Sequence, residues 1–205
     1  IIVMSVMNGF RVELTNKLIG FNPHIVVEPY NSPVNNNFKN LLKNKYKEFR
    51  LNNSYNGEAV VMINNSAKGV VVKGTNKNMF LKENIIEGNL QSLDNKSVVI
   101  GKDLAINLDL IIGDNINLIS SNFLTTPIGQ IPRQESYEIK AIFSSGFYEF
   151  DQNIIFLNLN ETLSFFNKTE DDLILEIYLK DPMKANFFKK EIELINSNYN
   201  IYSWT

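Results

Sequence analysis

Two prolines, Pro127 and Pro132, interrupt a strand pattern that ends near Phe123. Proline has no N–H to donate and its φ is fixed, so neither residue suits a central position in a sheet. Gly129, between them, supplies the backbone freedom that a chain reversal needs. The strand pattern resumes only at about Tyr137. The sequence therefore predicts a stiff loop over residues 123–135, held between two strands.

Two aliphatic residues, Ile128 and Ile131, lie in this loop, where exposure to water is expected. Two interpretations stay open. In the first, the isoleucines fold back onto the sheet and the segment is an ordinary hairpin loop, since single exposed apolar residues are common. In the second, the stiff loop presents apolar side chains outward for insertion into a partner protein.

Composition limits the classes of protein that the chain can represent. Its 205 residues are 44% hydrophobic, enough to bury a core as one large domain or two small ones. The net charge is −2, and no basic stripe with interleaved aromatic residues is present, which disfavours nucleic acid as a partner. The chain has no cysteine, which excludes disulfides, thiolate nucleophiles and thiolate metal ligands.

The chain opens with the apolar run IIVMSVM, which is too short to span a bilayer. It also lacks the basic flank and small-residue cleavage site of a signal peptide. We expect this run to be the end of a transmembrane helix of a longer protein. A soluble chain with an apolar N-terminal helix is the alternative.

Apolar residues continue from this run at spacings of four and three, which predicts one helix to about residue 19. They are Val3, Met7, Phe10, Leu14 and Leu18. We interpret residues 1–22 as the end of a transmembrane helix and a stalk that transmits motion or packs on a partner stalk. The alternative is that this apolar seam covers the core of the chain's own domain.

The rest of the chain reads as short strands and helices. Strands are predicted at 24–28, 58–64, 67–73, 97–100, 115–120, 137–143, 154–159, 173–179 and 199–204. Helices are predicted from the caps at 35–37 to about Phe49, at 102–108, at 160–167 and after Asp181-Pro182. This order predicts an α+β fold: a split α/β sheet subdomain (23–73 and 136–205) with an inserted β-rich subdomain at 74–135.

No set of residues favours catalysis, which needs a positioned acid, base or nucleophile. The single histidine, His24, starts a strand, where a structural role is expected. The acidic run 170–172 is typical of a solvated loop rather than a cation site. The segment 100–102 lacks the upstream glycine and the following hydroxyl of a phosphate-binding loop. The sequence therefore predicts a non-catalytic chain without cofactor or metal, with a small soluble periplasmic hydrolase as a remote alternative.

Four groups of short segments carry a resemblance to a known family. They are Ser5-Val6-Met7-Asn8-Gly9-Phe10-Arg11 with Glu13-Leu14 and Leu18-Ile19-Gly20; Val99-Ile100-Gly101 with Leu104-Ala105, Leu108 and Gly113-Asp114; Thr126-Pro127-Ile128-Gly129-Gln130-Ile131-Pro132-Arg133; and Gly146-Phe147-Tyr148-Glu149-Phe150-Asp151. Together they span nearly the whole chain, and in this order they resemble the LolC/LolE family.

The resemblance implies a permease subunit of an ABC transporter in the inner membrane of a Gram-negative bacterium. Such a complex contains a LolD ATPase and a second LolC/LolE-type permease, and passes triacylated lipoproteins to the periplasmic carrier LolA. The chain would be the periplasmic domain between the first two transmembrane helices. It would have the core of the MacB-like superfamily, with a Porter subdomain at 23–73 and 136–205 and a Sabre subdomain at 74–135.

The proline loop resembles the Hook with which LolC-type subunits capture LolA. By this match the Hook residues are Thr126, Pro127, Ile128, Gly129, Gln130, Ile131 and Pro132, with Ile128 at the apolar tip. Arg133 and Gln134 match an adjacent polar patch. Glu135 stands where the family has a basic residue, and the neighbouring Arg133 would supply the positive charge instead.

The resemblance also implies that Met4, Met7 and Phe10 contact lipoprotein where the first transmembrane helix meets the periplasm; packing against neighbouring helices is the alternative. Because LolE-type subunits lack a Hook of this form, a LolC or hybrid subunit is favoured. A MacB-like efflux domain or an FtsX-like signalling domain of the same superfamily is the nearest rival.

Overall fold

The computed structural model describes residues 4, 6, 7, 9, 19–63, 66–76, 83–89, 96–127 and 129–204. The strands in this part of the chain are β1 Ile25–Pro29, β2 Arg50–Ile63, β3 Ser66–Thr75, β4 Ile85–Gly88, β5 Ser97–Gly101, β6 Asn115–Thr126, β7 Gly129–Phe143, β8 Ile154–Leu157, β9 Ile174–Tyr178 and β10 Tyr199–Ser203. The α-helices are α1 Asn36–Lys45, α2 Lys102–Asn107, α3 Tyr148–Asn153, α4 Leu159–Phe165 and α5 Ala185–Ile195.

The chain forms two compact units: Ile1–Asn52 with Ile174–Thr205, and Asn53–Leu173. In the first unit β1 pairs antiparallel with β10 on one side and with β9 on the other. The strict alternation of Leu175 and Ile177 places both side chains in the core, together with Ile25 and Val27. Helices α1 and α5 contribute Leu42 and Ile192 to the same core.

Helix α1 is shorter than expected, because it ends at Lys45 rather than near Phe49. The N–H of Phe49 bonds to the carbonyl of Tyr46, and this turn leads directly into β2. The apolar pattern of the sequence extends beyond the end of the helix because the rings of Tyr46 and Phe49 still pack against each other and against Phe188. The Tyr46 and Phe49 ring centroids are 4.5 Å apart, and each ring meets Phe188 edge-on.

His24 has the structural role expected from its position. Its ring is 6% exposed; Nδ1 accepts a hydrogen bond from the N–H of Leu179 at 2.7 Å, and Nε2 lies 3.2 Å from the carbonyl of Ile19. These partners select the neutral tautomer with its proton on Nε2. Burial lowers the pKa of His24.

In the second unit six strands pair in a closed ring, in the order β2, β3, β8, β5, β7, β6 and back to β2. The pairs β3–β8 and β5–β7 are parallel, and the other four are antiparallel. Alternate residues of each strand point inward and fill the ring; they include Val61, Val72, Ile100, Leu118, Ile139 and Ile155. Closure leaves no free edge on the paired parts of these strands.

The boundaries of these units differ from the expected ones, which lay at 73/74 and 135/136. The chain divides instead at 52/53 and 173/174, because β2 pairs with β6 and β3 pairs with β8. The strands expected at 58–73 and 137–159 therefore belong to the closed ring. The assignment of the units as Porter and Sabre stays a prediction.

At the N-terminus, Met4, Val6, Met7 and Gly9 are helical, and the three side chains among them are exposed. Phe10 lies outside the described residues, as does most of the expected apolar seam. Helical structure is present again at 19–21, beyond the stop expected at Gly20. No helix in the described part of the chain has the length and hydropathy needed to cross a membrane.

A buried aspartate fixes the start of α3. Asp151 is 1% exposed and accepts hydrogen bonds from the Ser144 hydroxyl at 2.9 Å, the Ser145 N–H at 2.8 Å and the Ser145 hydroxyl at 2.5 Å. Its backbone lies directly against Gly101, where an added Cβ would come within 2.0 Å of the Asp151 carbonyl oxygen. Two of the family-like segments, 99–101 and 146–151, therefore meet here.

The single histidine makes one pH dependence testable. Because the folded-state pKa of His24 is depressed, its neutral form stabilises the fold fully above the unfolded pKa of about 6.5. That contribution is lost as pH falls through the lower, folded-state pKa. We expect urea denaturation between pH 7.5 and 5 to show a smaller loss of unfolding free energy in His24→Gln than in the unaltered chain. Parallel pH profiles for the two would contradict this role.

A second prediction concerns Asp151. Asp151→Ala leaves three buried or half-buried donors without their acceptor, and we expect it to lower the free energy of unfolding by about 2–4 kcal/mol. The matched control is Asp171→Ala, which removes an exposed carboxylate and should stay within about 0.5 kcal/mol. Chemical denaturation measures both; equal effects would show that the Asp151 network is not stabilising.

Candidate site: an apolar β-hairpin arm

Strands β6 and β7 form a long hairpin whose inner and outer parts differ in register. In the inner part residues 115–119 pair with 134–138, and in the outer part residues 123–126 pair with 129–132. Between them the three residues 120–122 of β6 stand opposite the single residue Arg133. Such a bulge bends the strand and separates the two parts. The inner part belongs to the ring; we call the outer part the arm.

The arm corrects the loop expected at 123–135. It is regular β-structure almost to its tip, and β7 begins at Gly129 rather than near Tyr137. Pro132 lies within β7, opposite Phe123. Proline is tolerated there because, among the described residues, the arm is two-stranded and each strand has one open edge. Four residue pairs carry the arm roughly 13 Å beyond the bulge.

Apolar side chains are exposed on both faces of the arm. Phe123 is 58% exposed, and its cross-strand partner Pro132 is also exposed. Ile131 is 46% exposed and points to the opposite face, because side chains alternate along a strand. The expectation that Ile131 is exposed is therefore confirmed, whereas the folded-back conformation of this isoleucine is wrong.

The tip has the backbone features expected of a tight reversal. Thr126 pairs with Gly129 through the backbone, and Gly129 has φ +125°, a conformation that favours glycine. Pro127 and Gln130 are exposed. Ile128, which the sequence places at the tip, lies outside the described residues.

The bulge attaches the root of the arm to the C-terminal end of α4. Asn122 Nδ2 donates to the Phe166 carbonyl at 2.8 Å, and Arg133 Nη1 donates to the Ser164 carbonyl at 2.5 Å. The Ser164 carbonyl also accepts the N–H of Asn167 at 3.1 Å, so Arg133 is an additional donor to it. Phe166 itself is buried in the core of the ring.

Four charged side chains at the root neutralise one another. Arg133 pairs with Glu135 at 3.3 Å, and Lys96 pairs with Glu135 at 2.8 Å and with Glu161 at 3.6 Å. The hydrogen bond from Lys96 holds the pKa of Glu135 below its usual range. The Tyr137 hydroxyl donates to Glu161 at 2.9 Å. Arg133 is therefore paired and does not present a free positive charge; of the two expected patch residues, Gln134 is the exposed one.

The acidic run 170–172 is part of the fold and not of this site. It forms a 3₁₀ turn in which the Asp172 carboxylate accepts from the N–H of Thr169 at 3.0 Å and from Lys168 at 2.9 Å. Among the described residues no group of three or more His, Asp or Glu side chains could hold a metal ion.

Sequence reasoning missed Phe123 and Asn122. Phe123 was missed because residues 123–135 were expected to form a loop. If the segment had been recognised as a β-hairpin, the spacing would have paired Phe123 with Pro132. Asn122 carries no sequence signal, because its partner Phe166 is 44 residues away.

Comparison with curated proteins identifies relatives of one kind. The chain is 30% identical over 216 residues to the lipoprotein-releasing system transmembrane protein LolC of Buchnera aphidicola subsp. Schizaphis graminum, and 27% identical over 219 residues to LolC of the Acyrthosiphon pisum subspecies; each match covers 100% of the chain and 52% of the relative. LolC of Neisseria meningitidis is 23% identical over 195 residues, which cover 90% of the chain and 47% of that protein. The chain thus spans about half the length of these relatives.

Solved structures show the same fold at low identity. The periplasmic region of MacB from Actinobacillus actinomycetemcomitans has a TM-score of 0.57 at 13% identity, covering 90% of this chain and 89% of that one. The extracellular domain of the ABC-type transporter YknZ from Gram-positive bacteria has a TM-score of 0.55 at 12% identity, covering 87% and 100%. No protein-family model matches the chain.

These relatives and the shared fold bear out the resemblance drawn from the short sequence segments. The chain belongs to the LolC-like family of ABC transporter permeases and has a MacB-like periplasmic domain.

Proposed function

We propose that the arm is a Hook that docks the periplasmic carrier LolA, in a LolCDE-type transporter of a Gram-negative inner membrane. The chain is then the periplasmic domain of the permease subunit. It couples stalk motion, driven by ATP hydrolysis in a separate LolD subunit, to the transfer of triacylated lipoproteins. The observation that carries the proposal is the two-stranded arm with apolar side chains exposed on both faces.

The exposed side chains supply part of the free energy of docking. Full burial of such a side chain is worth about 1.5–3 kcal/mol, and because Phe123 and Ile131 are about half exposed, each can contribute roughly half of that. Cross-strand pairing and the proline lower the conformational entropy that the arm loses on binding. Because the arm is narrow and exposed on both faces, it suits a concave apolar partner such as the mouth of an open barrel.

The polar patch contributes differently from the pattern expected from the sequence. The charges of Arg133 and Glu135 are paired at the root, so charge attraction to LolA is not its main contribution. We assign the polar contact to the exposed amide of Gln134. Arg133 would reach the carrier only through the edge of its guanidinium, since its donors already bind Ser164 and Glu135.

At the other end of the chain, Met4 and Met7 are candidates for lipoprotein contact. Both residues are helical, and both are more than 60% exposed to solvent. We propose this role for them and for Phe10 on the strength of the family resemblance. The domain itself is proposed to be non-catalytic, because the ring of its single histidine is occupied by backbone partners.

A second candidate function follows from the fold. MacB shares it at a TM-score of 0.57, so a mechanotransmission domain for efflux or FtsX-like signalling is the nearest alternative. Replacing residues 127–132 by a Gly-Ser turn separates the two proposals. The Hook proposal predicts that LolA binding is lost, and retained binding would favour the alternative.

The apolar faces of the arm give a direct binding prediction. Ile131→Asp and Phe123→Asp place a charge where an apolar contact is proposed, and we expect each to weaken LolA binding tenfold or more by calorimetry. Ile128→Asp is predicted from the sequence to have the same effect. The matched control is Ser136→Asp, which adds the same charge at an exposed position of β7 outside the arm. If Ser136→Asp weakens LolA binding as much as the arm variants do, the effect comes from the added negative charge alone. If none of the variants changes the affinity for LolA, the proposal that the arm is a Hook is refuted.

A further inference from the structure

We infer that Asn122 and Arg133 are positioning residues, which aim the arm by binding the C-terminal end of α4. This inference rests on the proposed docking function and assigns a role to the bulge that separates the arm from the ring. It also assigns Arg133 to the support of the arm rather than to the surface that meets the carrier.

The first step of the argument is mechanical. A two-stranded ribbon has no neighbours to fix its direction, and a bulge at its base is the point at which it bends. The arm of this chain leaves the ring at such a bulge, where 120–122 stand opposite Arg133. Without further contacts its direction would be set only by the hydrogen bonds of the bulge itself.

The second step is that both strands are attached at this point to one rigid element. Asn122, on the β6 side, binds the Phe166 carbonyl at 2.8 Å, and Arg133, on the β7 side, binds the Ser164 carbonyl at 2.5 Å. The two carbonyls are two residues apart at the end of α4. A ribbon held through both of its strands can neither swing nor twist about the bulge without breaking one of these bonds.

The third step is that the element holding the arm is itself fixed. Phe165 and Phe166 are each 1% exposed and pack in the core of the ring. The first turn of the helix is also tied to the ring, because Glu161 accepts a hydrogen bond from the Tyr137 hydroxyl at 2.9 Å. The direction of the arm is therefore fixed relative to the core of the ring, and not relative to flexible surface groups.

The fourth step concerns the arginine. Its guanidinium donates to Glu135 through Nε and Nη2, each at 3.3 Å, while Nη1 reaches Ser164. Because the fork is planar, contacts on two sides fix both its position and its orientation. Glu135 is held in turn by Lys96. A lysine at position 133 would keep the charge but could not make both contacts in this geometry.

The test measures the direction of the arm separately from binding. The chain has no cysteine, so spin labels can be attached to Gln130→Cys at the arm and Asn160→Cys on α4, both exposed positions. Double electron–electron resonance should show one narrow distance distribution in the otherwise unaltered chain. We expect Asn122→Ala and Arg133→Ala, and also Arg133→Lys, to broaden it. Asn117→Ala and Lys140→Ala, on exposed or partly exposed residues of the same strands, are the controls and should leave it unchanged.

Calorimetry with LolA of the same organism, on the unlabelled variants, gives the second readout. We expect Asn122→Ala and Arg133→Ala to weaken binding by about fivefold each, the equivalent of one hydrogen bond, with the melting temperature nearly unchanged. An unchanged distance distribution in both variants would overturn the inference. So would full affinity in Arg133→Lys, which would mark Arg133 as a charge contact. If the unaltered chain fails to bind LolA, the proposed function fails, while the distance measurement still decides the role of the two residues.

Discussion

The β6–β7 pairing is the interaction on which both the closed ring and the arm depend. Its inner part closes the ring, because β6 pairs with β7 on one side and with β2 on the other. Its outer part is the arm. Phe123 and Ile131 lie beyond the bulge, are 58% and 46% exposed, and are not members of the core cluster of the ring. In the proposed docking, these two side chains would be covered by the partner.

The bulge at 120–122 lets one hairpin form part of the ring and also extend away from it. The strands must twist with the ring in the inner part and leave it in the outer part, and an uneven residue count allows this change. The side chain of Asn122 is brought to α4 by the same irregularity. The charges around Arg133 and Glu135 are paired locally, so the root is held by directed contacts, and its four charged side chains sum to zero net charge.

The sequence predicted those features that depend on local pattern. Alternation identified β9 and the 137–143 part of β7, the Asp181-Pro182 cap preceded α5, and the isolation of His24 indicated a structural side chain. The unit boundaries could not be predicted, because the parallel pairs β3–β8 and β5–β7 join segments distant in sequence. Pro132 was misleading for a physical reason: proline excludes a central strand but not an edge, and which strands have open edges is set by the whole topology. The contacts of Asn122 and Arg133 are non-local in the same way.

The most direct test of the central claim is photo-crosslinking from the arm. A photoreactive amino acid at position 131, in the full-length protein in its membrane, should form an adduct with LolA on irradiation. The same group at position 136, on the ring-bound part of β7, should not. Adduct formation at 131 alone is the result that a docking arm predicts. The absence of a LolA adduct at 131, in cells where LolA is present and the protein is folded, would contradict it.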